Sequence, residues 1–483
     1  MELKELKKIA TDAIDESSSL FCEVSDKIWE YAELSLKEFK SAELYVKGLC
    51  ELGFEVERDV ADIKTAFLGK AGSGRPYIGI LGEYDALSGL SQVGGKAEKC
   101  ALEAGGNGHG CGHNMLGAGA LAAAYGIKKY LEASGKSGTV IFYGTPGEEG
   151  GAGKAFMAKR ELWREIDIAL TWHPSDTNEV TTGTCNSCLQ VLYKYKGVAS
   201  HAAGDPEHGR SALDAVELMN TGVQYLREHT KDDARIHYAI IDGGGFSPNV
   251  VQPTASVLYM VRSKLVRDAN ALLKRVDKIA DGAALMTETE YERVFIDGCS
   301  GTVPNHSLEA LLYKNLKELG APEYTDSEWE YAKALYATYD THGAIPSLAA
   351  SLDANAKAEV EAITDGGKRA INDFIAPLYT GDCFSPGSTD VGDVSWQTPT
   401  AQVYTACFTS GAPGHSWQNV SVGKTSIGHK GLLLAAKVLA NTAVELFENP
   451  ELIAEAKAEF ELRTKEGYTS PIPDGEYAKP VEI

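Results

Sequence analysis

Three short apolar runs, each ending at once in polar residues, most narrow what this chain can fold into: "RPYIGILGEYDAL" from Arg75, "GTVIFYGTPGEEGG" from Gly138 and "IDIALTWHP" from Ile166. Each is short enough for a strand and apolar enough to be buried on both faces. Helical patterns, "LKKIATDAIDESSSLFCEVSDKIWEYAELS" and "KSAELYVKGLCELG", occupy the same half of the chain. Strands mixed with helices in this way predict an α/β layered domain around a central mixed sheet. Because the polar residues follow the strands directly, Glu83, Asp85, Glu148, Glu149 and His173 are expected to crowd at one sheet edge, where open α/β sheets form their sites.

From about residue 187 the pattern becomes strand, helix, two strands, helix, strand, from "CLQVLYKYKG" to "YERVFIDGC". That β-α-β-β-α-β string is the ferredoxin-like arrangement. The α/β patterning returns with "HSLEALLYKNLKELG" and continues through "AQVYTACF" and "GHKGLLLAAKVLANTAVELFE". Residues 187–300 therefore read as an α+β domain inserted into a larger one made of 1–186 and 301–483, and a length of 483 residues suits two domains. The stretch 320–380 is rich in helix formers but has no place in this scheme.

With 46 basic and 68 acidic residues the formal charge is −22, which argues against nucleic acid or an anionic membrane as a partner. The small-residue run "MLGAGALAAAYGI" is shorter than the roughly 20 residues of a membrane span. The N-terminus lacks the apolar core of a signal peptide, so a cytoplasmic protein is expected. Nine scattered cysteines suggest reduced thiols; Cys185 and Cys188 form a lone CxxC without a second pair or a thioredoxin-like context.

Chemistry concentrates in "GHGCGHNM", residues 108–115. In an extended loop Cys111 and His113 point the same way, and thiolate plus imidazole suits zinc or a similar transition metal. His109 is a third candidate, and the plainer alternative is two histidines beside a buried thiol. In "PGEEGG" the neighbours Glu148 and Glu149 face differently, so that one can ligate a metal while the other collects a proton from water. A solvated acidic turn is the alternative there. His173 is either a ligand or a buried histidine with a satisfied hydrogen bond.

"NGHGCGHNMLG", "YGTPGEEGGAGKAFM", "LTWHP", "GVASHAA", "SPNVVQPTASVLYMVRS", "STDVGDVSW" and "GHSW" resemble, in order and spacing, the metallo-amidohydrolase and carboxypeptidase family that includes aminoacylases, hippurate hydrolase and carboxypeptidase G. The resemblance runs from near the N-terminus to about residue 475. It implies two divalent metal ions, zinc or manganese, on the larger domain, with the inserted domain acting as lid and dimerisation element. By motif the ligands fall on Cys111, His113, Glu149, His173 and His415, and the general base on Glu148. His201 matches a lid histidine that reaches the partner's site in a dimer and stabilises the oxyanion. Asn249 and Arg262 match lid residues that hold a substrate carboxylate. Asp85 matches the aspartate supporting the site, and Glu83, standing where other branches carry histidine or aspartate, is placed with it just behind the ligands. Asn114 stands where related enzymes have an acid. His429 competes with His415, which is favoured because it follows an apolar strand into a turn. Asp390 and Asp393 are expected to be structural, and His109 to orient its loop.

The implied activity is hydrolysis of the amide bond of a small N-acyl amino acid, with p-aminobenzoyl-glutamate the nearest family substrate, by a homodimer or a heteromer with a related subunit. Competing readings are a dipeptidase or another N-acyl amino acid hydrolase, a partner subunit with little activity alone, and a thiol redox protein built on Cys185 and Cys188. Without the resemblance, His201 is an ordinary side chain before a helix start and Arg262 an ordinary edge-strand charge.

Overall fold

A computed structural model describes residues 1–340, 345–381 and 383–480. The chain forms two compact units, one built from Met1–Gly183, Val303–Cys383 and Val394–Gly467, the other from Thr184–Thr302, Phe384–Asp393 and the residues from Tyr468 on.

The first unit is organised by a seven-stranded mixed sheet with the spatial order Glu55–Arg58, Phe67–Ser73, Gly138–Gly144, Tyr77–Gly82, Ile168–Ser175, Thr400–Ala406, Glu179–Val180. The four central strands, from Gly138–Gly144 to Thr400–Ala406, run parallel, so their carboxyl ends share one edge. Their side chains are largely buried, as expected of parallel strands covered on both faces. The outer strands pair antiparallel.

The helix His113–Ser134 carries the small-residue run and is buried along most of its length. Its glycines let it lie close against the strand ends: a Cβ on Gly117 would stand 2.6 Å from the Glu83 carbonyl oxygen, and one on Gly119 would stand 2.7 Å from the Trp172 ring. Larger residues there would push His113 off the sheet edge. Helices Leu3–Glu16, Ser18–Tyr31 and Ser426–Glu448 pack around it. The N-terminal helical pattern is thus two helices rather than one, broken at Ser17, where the Ser18 hydroxyl turns back to donate to the Asp15 carbonyl at 2.8 Å. The stretch 320–380 contributes helices Asp326–Tyr336, Ala349–Leu352 and Ala354–Ile363 to this unit, the first opened by a capping box between Thr325 and Glu328.

The second unit holds a four-stranded antiparallel sheet in the order Glu290–Cys299, Ser187–Lys196, Thr254–Ser263, Arg235–Asp242. Helices Ala212–Arg227 and Val266–Thr287 pack on it, and the chain order is β-α-β-β-α-β. The unit also draws in 384–393 and the residues from Tyr468, beyond the continuous segment expected. Asp393 explains this: fully buried, it accepts from Ser300 N at 2.9 Å, Ser300 Oγ at 2.7 Å and Tyr468 Oη at 2.8 Å, tying three segments together. Asp390 is buried nearby in sequence. Among the described residues no helix is long and apolar enough to cross a membrane.

Candidate metal centre

The carboxyl edge of the large sheet collects the chemistry. The strand Tyr77–Gly82 runs directly into Glu83 and Asp85, and Gly138–Gly144 is followed within a short turn by Glu148 and Glu149. Ile168–Ser175 carries His173 near its end, and the chain leaving Thr400–Ala406 arrives at His415. Cys111 and His113 enter from the side, and here the extended-loop expectation is corrected. Gly112 adopts a left-handed φ of +85°, and His113 is the first residue of the long helix. The turn requires glycine, because a Cβ on Gly112 would meet the Phe408 ring at 2.8 Å and Pro174 at 3.0 Å. It brings ligand atoms of Cys111, His113 and His173 within 4.8 Å of one another; the same holds for Cys111, Glu149 and His415, and for Glu83, His113 and Glu148.

Hydrogen bonds behind these atoms fix their aim. Asp85 Oδ1 accepts from His113 Nδ1 at 2.9 Å, which turns Nε2 towards the cluster, where Glu83 Oε2 lies 3.2 Å away. Asp85 Oδ2 accepts from Ser35 Oγ at 2.8 Å and from the Glu149 amide at 2.9 Å. His173 Nδ1 donates to the Pro174 carbonyl at 2.7 Å, leaving Nε2 3.4 Å from Cys111 Sγ. Buried Lys154 stands 2.7 Å from Glu83 Oε1. His415, itself at a left-handed φ of +52°, holds Nε2 3.5 Å from Glu149 Oε1 and is the most exposed of the set.

Burial dominates the electrostatics, and the neighbours decide each outcome. Burial opposes the charge on Asp85, yet the bond from His113 holds its carboxyl down at about 2. Burial likewise works against ionised Glu83, and Lys154 with His113 and His173 still keeps it below its ordinary range. Burial pushes the Cys111 thiol up to about 12 and the Glu149 carboxyl upward, and it presses His173 down to about 4. The cluster therefore brings charged and neutral donors together at the sheet edge, with His113 raised well above its ordinary value by Cys111 and Asp85 despite its burial.

A metal fits on the valence left over. His113 Nε2 and Glu149 Oε1 are buried and make no hydrogen bond among the described residues. An orphaned buried polar atom costs about 1–3 kcal/mol. The donor set of sulfur, imidazole nitrogen and carboxylate oxygen is that of zinc, and its carboxylates also suit manganese. His113 and His173 are held from behind, by Asp85 and the Pro174 carbonyl, in the way metal-ligating imidazoles usually are.

Other singled-out residues lie elsewhere. His109, buried and pressed down to about 4 by desolvation, donates from Nε2 to the Ile28 carbonyl at 3.0 Å and belongs to none of the three clusters. Asn114 uses its amide to donate to Ser25 Oγ at 3.0 Å and to the Gly423 carbonyl at 3.1 Å, a task no carboxylate can do. His429 pairs with Asp26 at 2.9 Å between the helices Ser426–Glu448 and Ser18–Tyr31 and belongs to none of the three clusters. Within the second unit, His201 is exposed and its Nδ1 accepts from the amides of Ala203 at 3.2 Å and Gly204 at 3.0 Å. The helical turn that follows it, Pro206–His208, starts at Asp205, and the helix Ala212–Arg227 is capped by Ser211, so His201 caps neither. Exposed Asn249 lies on the neighbouring loop, its carbonyl accepting from Ala202 at 3.0 Å. Arg262 sits on an inner strand, paired with both Cys188 and Arg235, so it is not an edge charge; its Nη1 donates to Ser388 Oγ at 2.7 Å. The CxxC is not a pair: Cys188 Sγ lies 3.4 Å from Cys299 Sγ, while Cys185 Sγ accepts from the Thr302 amide. Lys154 and Ser35 escaped the sequence reading. The one signal for them was a lysine closely following the "PGEEGG" acids.

The sequence profile of peptidase family M20/M25/M40 matches residues 79–440. A p-aminobenzoyl-glutamate hydrolase subunit from Escherichia coli K12 is 44% identical over 99% of this chain and 100% of its own length. The Xaa-Arg dipeptidase of Mus musculus is 28% identical over 96% of this chain and 94% of its own. Among solved structures, an aminobenzoyl-glutamate utilization protein from Klebsiella pneumoniae superposes with a TM-score of 0.58 at 15% identity, covering 90% of this chain and 97% of that one. A dinuclear metal binding peptidase from Bacillus subtilis superposes with a TM-score of 0.53 at 17% identity, covering 90% and 99%.

Proposed function

This chain belongs to peptidase family M20/M25/M40, and on that footing we propose that it is a metal-dependent amidohydrolase that splits p-aminobenzoyl-glutamate into p-aminobenzoate and glutamate. The observation that carries the reading is the pair of three-donor clusters sharing Cys111, set beside Glu148 at the edge of the parallel strands. Cys111, His113, His173, Glu149 and His415 would hold two divalent ions. When bound, such ions supply Lewis acidity at the scissile carbonyl and make water easier to deprotonate. Glu148 takes the proton of the attacking water and hands it to the leaving nitrogen, so the amide becomes a carboxylic acid and an amine. Asp85 keeps His113 in one tautomer, and Lys154 keeps Glu83 ionised. His201 is assigned the stabilisation of the oxyanion, and Asn249 and Arg262 the grip on the substrate's carboxylate. The Escherichia coli relative is named as one subunit of its enzyme, which supports a second chain as partner, either another copy or a related subunit.

A panel of N-aroyl-glutamates, N-acetyl amino acids and dipeptides, assayed with zinc or manganese, tests the substrate. The highest kcat/KM belongs to p-aminobenzoyl-glutamate; equal rates across the panel would remove that reading, and a preference for dipeptides would favour the activity named for the Mus musculus relative. Elemental analysis should find two metals per chain, fewer in Cys111→Ala.

A further inference from the structure

Glu38 is fully buried on the turn that precedes the helix Phe39–Glu51, and a carboxyl group so placed needs partners. Its Oε1 accepts from the Leu36 amide at 2.8 Å and from the Gly147 amide at 2.9 Å. Gly147 is the residue immediately before Glu148. On the other side of Glu148, the Glu149 amide donates to Asp85 Oδ2 at 2.9 Å, and that same oxygen accepts from Ser35 Oγ at 2.8 Å. Two buried carboxyl groups thus brace the acidic loop against the same stretch, Ser35–Leu36, each taking one hydrogen bond from either segment. Leu36 fills the space between: a Cβ on Gly147 would stand 3.0 Å from its Cδ2, and one on Gly151 would stand 2.8 Å from its Cδ1. Both Leu36, at φ +60°, and Gly147, at φ +72°, adopt the left-handed conformation, so neither turn is the default path of the chain.

We propose that Glu38 is a positioning residue for hydrolysis, fixing with Asp85 the backbone that aims Glu148, and that it acts as a hydrogen-bond acceptor. The proposal rests on Glu148 being the general base. A displacement of about 1 Å at such a group is enough to cost about 100-fold in rate. Glutamine keeps the acceptor oxygen, and its amide can donate to the Thr65 hydroxyl beside Glu38. Aspartate is a methylene too short to span both amides.

The test uses full-length, metal-loaded protein and whichever panel substrate the parent hydrolyses fastest. In Glu38→Ala and Glu38→Asp, kcat falls about 100-fold with KM within about threefold of the parent, whereas Glu38→Gln stays within about threefold in both. A second readout needs no turnover: because Glu149 sits on the braced loop, the chelator concentration that strips half the metal drops about tenfold in Glu38→Ala and recovers in Glu38→Gln. Parent-like behaviour of Glu38→Ala in both readouts would overturn the proposal, as would a Glu38→Gln variant as damaged as Glu38→Ala. If Glu38→Ala does not fold, the contrast of Glu38→Asp with Glu38→Gln decides. If the parent hydrolyses nothing in the panel, the functional reading fails by itself, and the chelator series still decides whether Glu38 braces the loop that carries Glu149.

Discussion

His113 and His429 are each pinned by an aspartate at 2.9 Å, His113 by Asp85 at the sheet edge and His429 by Asp26 among the helices, yet the two rings live in different surroundings. His113, Asp85 and Glu83 are all buried, and the ring nitrogen not held by Asp85 makes no hydrogen bond among the described residues while facing Glu83. Around His429 the side chain keeps 21% of its surface, and Cys22 and Asp26 share its charge. A carboxylate behind an imidazole therefore does not mark a metal site on its own. What separates the two regions is the unspent donor capacity in front of the ring and the further donors, Cys111, His173, Glu148 and Glu149, gathered there.

The largest effect should come from the front of that cluster. Glu148→Gln removes the proton carrier and keeps the shape, so kcat should fall by about 1,000-fold, with metal content per chain unchanged by elemental analysis. His429→Gln in the same assay should leave kcat at the parent value. Metal loss in Glu148→Gln would move that residue from base to ligand, and a fall in kcat for His429→Gln would erase the contrast.

The next effect tests the carboxylates behind the rings. Asp85→Asn should weaken metal binding by about 10–100-fold in a chelator competition, since it releases the tautomer and aim of His113. Asp26→Asn should leave the same titration unmoved.

Residues that directly follow their strands were the legible ones. Once Tyr77–Gly82, Gly138–Gly144 and Ile168–Ser175 are parallel neighbours, Glu83, Asp85, Glu148, Glu149 and His173 have nowhere to go but one edge. Cys111 and His113 could be picked out by type, but the turn between them could not, because nothing in the local sequence says that Gly112 takes a positive φ and opens a helix. Groups whose partners are remote were invisible. Glu38 meets Gly147 across 109 residues, and Asp393 meets Ser300 across 93, and it is the latter contact that carries 384–393 into the second unit. For Arg262 the alternative of an edge charge stayed open, because an isolated strand does not reveal whether both of its sides are paired.

Asn114 stands between the two regions, one residue from His113 and bonded away from the cluster towards Ser25 and Gly423. Asn114→Asp, the acid expected by family pattern, would set a carboxylate against the Gly423 carbonyl and leave that carbonyl without its donor. Stability in urea melts should drop by about 2 kcal/mol, with metal content unchanged. A loss of metal at constant stability would instead assign Asn114 to the metal centre.

The smallest effect is the pH signature of His429. Burial opposes its charge, but the hydrogen bonds to Asp26 and Cys22 outweigh that and carry its pKa from 6.5 up to about 9. A pKa raised on folding means that the protonated ring favours the folded chain. The contribution is complete below about 6.5 and fades as pH rises through about 9. His429→Gln should therefore lower stability by about 1 kcal/mol at about pH 6, a figure reduced for the solvent that reaches the pair, and by nearly nothing at about pH 10. Urea melts of parent and variant at the two pH values measure this. A deficit equal at both would mean that the ring is held for its packing and that Asp26 adds no charge-dependent stability. The two histidine–aspartate pairs would then differ even in what the aspartate does.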